Sequence, residues 1–180
     1  MRRWLSMSCV LVLALTACSS TDDQPPPDLA TMASPCDFLD EAQRTELQLG
    51  PGQLSTAPGL AGGTETTLCV YRDAALGDRG GDYVDSVTVT FLPTTLDVAR
   101  RALDEVEQRG LFTAGRMSAY ATGPDGVLRR AGVRLGETTC ERLFAASPTR
   151  AVQIGLTVER PPLGEAACDA AVRLAPSIFS

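Results

Sequence analysis

Four cysteines, Cys36, Cys69, Cys140 and Cys168, constrain this 180-residue chain more than any other feature. An even set of thiols in an exported chain reads as a disulfide framework. Three pairings are open. Cys36–Cys69 with Cys140–Cys168 is preferred, because each bridge then closes a local loop of about 30 residues and contributes on the order of 3–4 kcal/mol on the chain-entropy model. Free or metal-binding cysteines are the alternative. Against it stand the lack of any C-x-x-C pair and the complete absence of histidine.

Export is read from the start of the chain. Met1-Arg2-Arg3 is a short positive end, and the apolar run from Trp4 to Leu15 is the length of a signal-peptide core, well short of the roughly 20 residues a membrane-spanning helix needs. It closes on Leu15-Thr16-Ala17-Cys18, which resembles the lipobox of bacterial lipoproteins. A cysteine directly after the cut supplies the thiol that takes a diacylglycerol thioether. The alternative is an ordinary secretory signal followed by a chance cysteine. The expectation is a signal peptide over residues 1–17 and lipidation at Cys18. A chain carrying two or three acyl groups is held firmly at the extracytoplasmic face of a cell membrane. Residues 18–34, with the polar and proline-rich run SSTDDQPPPDLATMAS, are expected to form a disordered stalk. Residues 35–180 are expected to form a single domain.

Removing Arg2 and Arg3 with the signal takes the 16 basic residues to 14, against 22 acids, a side-chain net of −8. Such a surface argues against nucleic acid or anionic lipid as a partner held by bulk charge. Every basic residue is arginine. Without histidine there is no Ser-His-Asp or Cys-His catalysis, and without lysine no Ser-Lys dyad or Schiff base. Nucleotide-binding glycine loops and the G-x-S-x-G elbow are missing too. No catalytic residue, metal site or cofactor is predicted.

Along the domain, Ser34-Pro35-Cys36-Asp37 predicts a capped helix running to about Leu47, with Cys36, Leu39 and Ala42 inward and Leu49-Gly50 ending it. Pro51 to Glu65 reads as a loop. Thr66 to Arg72 reads as a strand. Tyr83 to Leu92 is the clearest one, with Val84, Ser86, Thr88 and Thr90 alternating against Asp85, Val87, Val89 and Phe91. A helix with the stripe Leu96, Ala99, Leu103 and Val106 follows Pro93-Thr94, with Asp97 completing a capping box, and stops at Gly110. Leu111–Thr122 is read as strand or irregular, and Gly126–Leu135 as a strand. Thr139–Ala145 and Ala151–Val158 are read as an antiparallel pair, and Gly164 to about Ile178 as a last helix. The order predicts an α+β fold, an antiparallel sheet covered by helices.

Ser34-Pro35-Cys36-Asp37-Phe38-Leu39, Leu49-Gly50 and Leu68-Cys69-Val70-Tyr71 resemble an uncharacterised domain family of actinobacterial lipoproteins. Its members resemble one another in a stalk, a proline-cysteine helix start and a cysteine followed two residues later by an aromatic. The aromatic is often tryptophan there and is Tyr71 here. The late pair Cys140 and Cys168 also fits, and the resemblance covers most of residues 35–178. It implies a layout similar to the PsbP-like α/β sandwich and brings no known reaction.

Arg129, Arg130 and Arg134 make the only basic cluster and are the candidate ligand residues, a grip for a phosphate or carboxylate. A solvent-facing strand side is the preferred reading of the three. Asp78, Asp82 and Asp85 read as turn residues in preference to calcium ligands. Asp104, Glu105 and Glu107 read as an ion-paired helix face in preference to an acid-base pair. Tyr71, Tyr83, Phe91, Phe112 and Tyr120 read as core or core edge, with a ligand groove using some of them still open. The function expected first is a non-catalytic surface module binding a small or lipidic ligand. The alternatives are a partner or assembly protein of a cell-envelope complex, then a carboxylate- or metal-dependent enzyme.

Overall fold

The computed structural model describes residues 28–57, 65–75, 81–109, 116–123, 126–134, 137–161 and 166–179. In chain order they form a 3₁₀ turn (Pro35–Asp37), α1 (Glu41–Glu46), β1 (Gln53–Ala57), β2 (Thr66–Arg72), β3 (Tyr83–Leu92), α2 (Leu96–Gln108), β4 (Arg116–Met117), β5 (Ala121–Thr122), β6 (Leu128–Arg134), β7 (Glu137–Ser147), β8 (Arg150–Glu159), α3 (Ala167–Leu174) and α4 (Pro176–Phe179). All strands join one antiparallel sheet in the order β1-β2-β3-β8-β7-β6-β4, with β5 also paired to β6. Helices cover it, so the fold is α+β. The expected signal peptide, the lipidation site Cys18 and the first part of the stalk lie outside the described residues.

After β3 the chain leaves the sheet through α2 and returns as β4 at the far edge. From there β6, β7 and β8 step back inward until β8 pairs with β3. The 13 residues of α2 span about 20 Å, which matches the ~19 Å of four inter-strand gaps separating β3 from β4. One sheet face carries the main core: Tyr71 from β2, Val87 and Val89 from β3, and Ile154 and Leu156 from β8, packed under α3 and α4. The opposite face carries α2, which rests on Leu92, Leu143 and Ala151 through Ala99 and Leu103.

Both bridges form with the expected partners. Cys36–Cys69 ties the 3₁₀ turn to β2, and Cys140–Cys168 ties β7 to α3. Tyr71, two residues beyond Cys69, completes the first of these attachments. Its buried hydroxyl accepts from the Leu39 amide and donates to the Pro35 carbonyl, both at 3.3 Å. The aromatic of the Cys-x-aromatic pattern therefore fixes the domain's opening segment to the sheet.

Several elements differ from expectation. The first helix breaks after a single turn. Ser34 does cap it, accepting from the Cys36 amide, but Asp40 is extended and starts a second helix through a capping box with Gln43. That helix ends in a Schellman motif, with Gln48 at φ 58° and the Leu49 amide bonded to the Arg44 carbonyl. Ala42 is consequently exposed. The expected loop contains β1, an edge strand with little burial on either side. A bulge between Val84 and Ser86 reverses the phase of β3, so Val84 joins Val87, Val89 and Phe91 on the core face. The cap of α2 is Thr95, and Pro176, which cannot donate to the helix ladder, divides the last helix into α3 and α4. Residues 28–34, assigned to the stalk, lie on the domain. Leu29 and Met32 pack on the core, and Arg150 Nη1 donates to the carbonyls of Leu29, Ala30 and Met32.

Candidate functional site

Because α2 crosses only part of its sheet face, a cavity of about 460 Å³ opens beside it. That volume lies in the range of small-molecule sites. The floor comes from the two central strands: Thr88 and Thr90 of β3, Gly155 and Thr157 of β8. Leu103 and Val106 of α2, with Leu68 and Leu92, form apolar walls. Strand alternation explains the arrangement. Val87 and Val89 of β3, and Val152, Ile154 and Leu156 of β8, point into the main core, and each is followed by a threonine, glutamine or glycine on this face.

Gly155 lies on the cavity floor. It sits opposite Thr88 on β3 and Glu141 on β7. A Cβ added there would meet Glu141 Cγ at 3.7 Å and Thr88 Cβ at 4.0 Å, ordinary contact distances. Packing therefore does not demand a glycine here. Glycine inside a central strand lowers stability, and its effect is to leave the notch open.

One end of the cavity is a buried polar cluster centred on Glu141 Oε2. It accepts from Arg130 Nε at 2.6 Å, from Gln153 Nε2 at 2.7 Å and from the Tyr120 hydroxyl at 3.0 Å. The Arg130 guanidinium also lies 4.4 Å from the Tyr120 ring centroid, and its Nη1 reaches the Leu103 carbonyl at 3.5 Å. Burial, the largest single influence, works against the Arg130 charge, but the Glu141 carboxylate, Tyr120 and Glu107 together outweigh it and raise its pKa. Burial, then the Glu141 carboxylate, push the Tyr120 phenol well above its ordinary value, so it remains a neutral donor.

Arg129 and Arg130 do not converge. Alternation along β6 puts Arg129 beside Arg142 on the main-core face and Arg130 opposite Glu141 in the groove, while Arg134 pairs in register with Glu137 at the strand end. Arg130 is 3% exposed, which corrects the solvent-facing reading for that residue. Its fork is already engaged by a carboxylate, which also argues against an anion grip. Asp78 and Phe112 lie outside the described residues. Asp82 pairs with Arg173, and the described residues contain no group of three metal-ligating side chains. On α2, Glu105 pairs with Arg109, Asp104 lies 3.8 Å from Arg100, and Asp104 and Glu107 accept the amides of Tyr120 and Met117. These acids hold the helix and the following segment in place.

Glu141, Gln153, Gly155 and the groove threonines had no site signal in the sequence. The one available clue was Gly155, a glycine inside the otherwise strand-forming run AVQIGLTVE. No family model, curated protein or solved structure matches the chain.

Proposed function

We propose that this protein is a surface module, held by lipid on Cys18 at the extracytoplasmic face of a membrane, that binds a small, largely apolar ligand without chemical conversion. The observation that carries the binding half is the open notch at Gly155. A central-strand position that accepts a side chain is left empty, at a cost in stability, on the floor of a 460 Å³ cavity. The anchoring half is supported by the Leu15-Thr16-Ala17-Cys18 block and by two disulfides, which suit an oxidising compartment. The family resemblance belongs to the same proposal.

An assembly role would favour a broad exposed apolar patch. The large exposed apolar residues among those described, Leu54, Val98, Val133 and Val172, are instead spread over β1, α2, β6 and α3. This distribution favours the ligand-binding reading.

Native mass spectrometry of the protein extracted from its own membrane tests both halves. The expected spectrum shows the acyl mass on Cys18 and a retained small molecule that is lost in Gly155→Val. Retention of the same molecule by that variant would place the ligand elsewhere and overturn the groove assignment. Cys18→Ala is expected to release the protein or stall its precursor, and unchanged membrane attachment would overturn the anchor.

A further inference from the structure

Resting on the groove reading, we infer that the ligand is an uncharged amphiphile, an aliphatic chain ending in a hydroxyl or ester group, whose oxygens meet Thr88, Thr90 and Thr157. Charge decides the first part. Among the described residues, the ionic ones that line the groove are Arg130 and Glu141, and they form a pair at 2.6 Å with 1% and 7% side-chain exposure. The described lining is therefore neutral as a whole. A carboxylate, phosphate or ammonium group entering it would be desolvated without a counter-charge, which is costly.

The hydroxyls decide the second part. Thr66 Oγ1 donates to the Ala57 carbonyl and Thr139 Oγ1 to the Glu137 carbonyl, both at 3.3 Å. Thr88, Thr90 and Thr157 are half-buried around the Gly155 notch, and their hydroxyls bond no other described residue. Each offers one donor and two acceptor positions, so a hydroxyl or ester can be met in either sense. The apolar walls, Leu68, Leu92, Leu103 and Val106, are left to the chain.

The test is a calorimetric titration of the disulfide-bonded protein with three probes of the same chain length, below their micellar concentrations: 1-monolauroylglycerol, laurate and dodecylammonium. The monoacylglycerol is expected to bind at least tenfold more tightly than either ion. Gly155→Val should abolish its binding. Thr88→Val or Thr157→Val, which remove a hydroxyl with little change of shape, should each weaken it about fivefold, equivalent to ~1 kcal/mol. Laurate or dodecylammonium binding as tightly, and still sensitive to Gly155→Val, would overturn the uncharged-ligand inference and leave the groove reading standing. Threonine variants without effect would overturn the role of the hydroxyls. Absence of Gly155-sensitive binding for all three probes would overturn the groove reading and this inference with it.

Discussion

Arg130 on β6 and Glu141 on β7 face each other directly in the sheet register, Nε to Oε2 at 2.6 Å, both almost wholly buried beside the groove. Each charge is tolerated there because of the other. Truncating one side leaves the partner ionised and uncompensated, so Glu141→Ala is expected to cost about 3–5 kcal/mol. Glu141→Gln, which keeps an acceptor oxygen, should cost less. Removing both charges with Arg130→Met and Glu141→Leu should recover most of the loss, because the pair's attraction largely offsets its own desolvation. Urea denaturation of the four proteins checks this. A double variant as unstable as Glu141→Ala would show that the pair's net contribution to stability is large.

Tyr71 and Tyr120 give the domain an alkaline limit. Burial raises the Tyr71 phenol, and burial with the Glu141 carboxylate raises Tyr120. The unfolded chain releases these protons near pH ~10, whereas the folded domain retains them. The native state then binds more protons than the unfolded one, so stability is intact below about pH 10 and falls as pH rises beyond it. The slope is at most about 1.4 kcal/mol per pH unit for each phenol. Urea midpoints between about pH 8 and pH 11 should show the fall, and Tyr71→Phe with Tyr120→Phe should make it shallower. At neutral pH, Tyr71→Phe leaves the Leu39 amide and Pro35 carbonyl without their partner, for a loss of about 1–3 kcal/mol. An unchanged midpoint would mean that the 3₁₀ turn is held by its disulfide alone.

The two bridges close loops of similar size, with sequence separations of 33 and 28. Loop entropy then predicts nearly equal effects. Replacing Cys36 and Cys69 by serine, or Cys140 and Cys168, should each cost on the order of 3–4 kcal/mol. Denaturation midpoints of the two double variants test the equality. A marked excess for the first pair would point to the packing of Gly52 and Tyr71 around it as an additional contribution.

What could be read from the sequence was what is encoded locally. The spacing of four cysteines indicated the bridges, and the alternation from Val87 to Phe91 indicated the strand. Val84 was grouped with Ser86, Thr88 and Thr90 instead of with Val87 and Val89, because a bulge is set by the partner strand. The break at Asp40 is legible only when Asp40 and Gln43 are read as a second capping box inside an apparently continuous helix. β1 is an edge strand lying against β2, so almost no burial pattern marks it. Arg130 looked like part of an exposed basic row because Glu141, Tyr120 and Gln153 reach it from other strands. Its environment is a product of topology, and topology also creates the groove beside α2.

Two glycines set packing and function apart. Gly52 lies against the first disulfide, where an added Cβ would run into Cys69 Sγ and approach Tyr71 Cε1 to 2.8 Å. These are fully buried atoms with nowhere to move. Gly52→Ala is therefore expected to destabilise by about 1–3 kcal/mol, the usual range for overpacking. At Gly155 the same methyl group finds ordinary contacts, and replacing glycine in a strand interior should stabilise by roughly 0.5–1 kcal/mol. Thermal unfolding of the two alanine variants should move in opposite directions. A loss at Gly155→Ala would mean that this glycine is required by the sheet, and the argument that the notch is kept open for a ligand would fail. A gain would identify Gly155 as a position where stability is forgone to preserve the cavity.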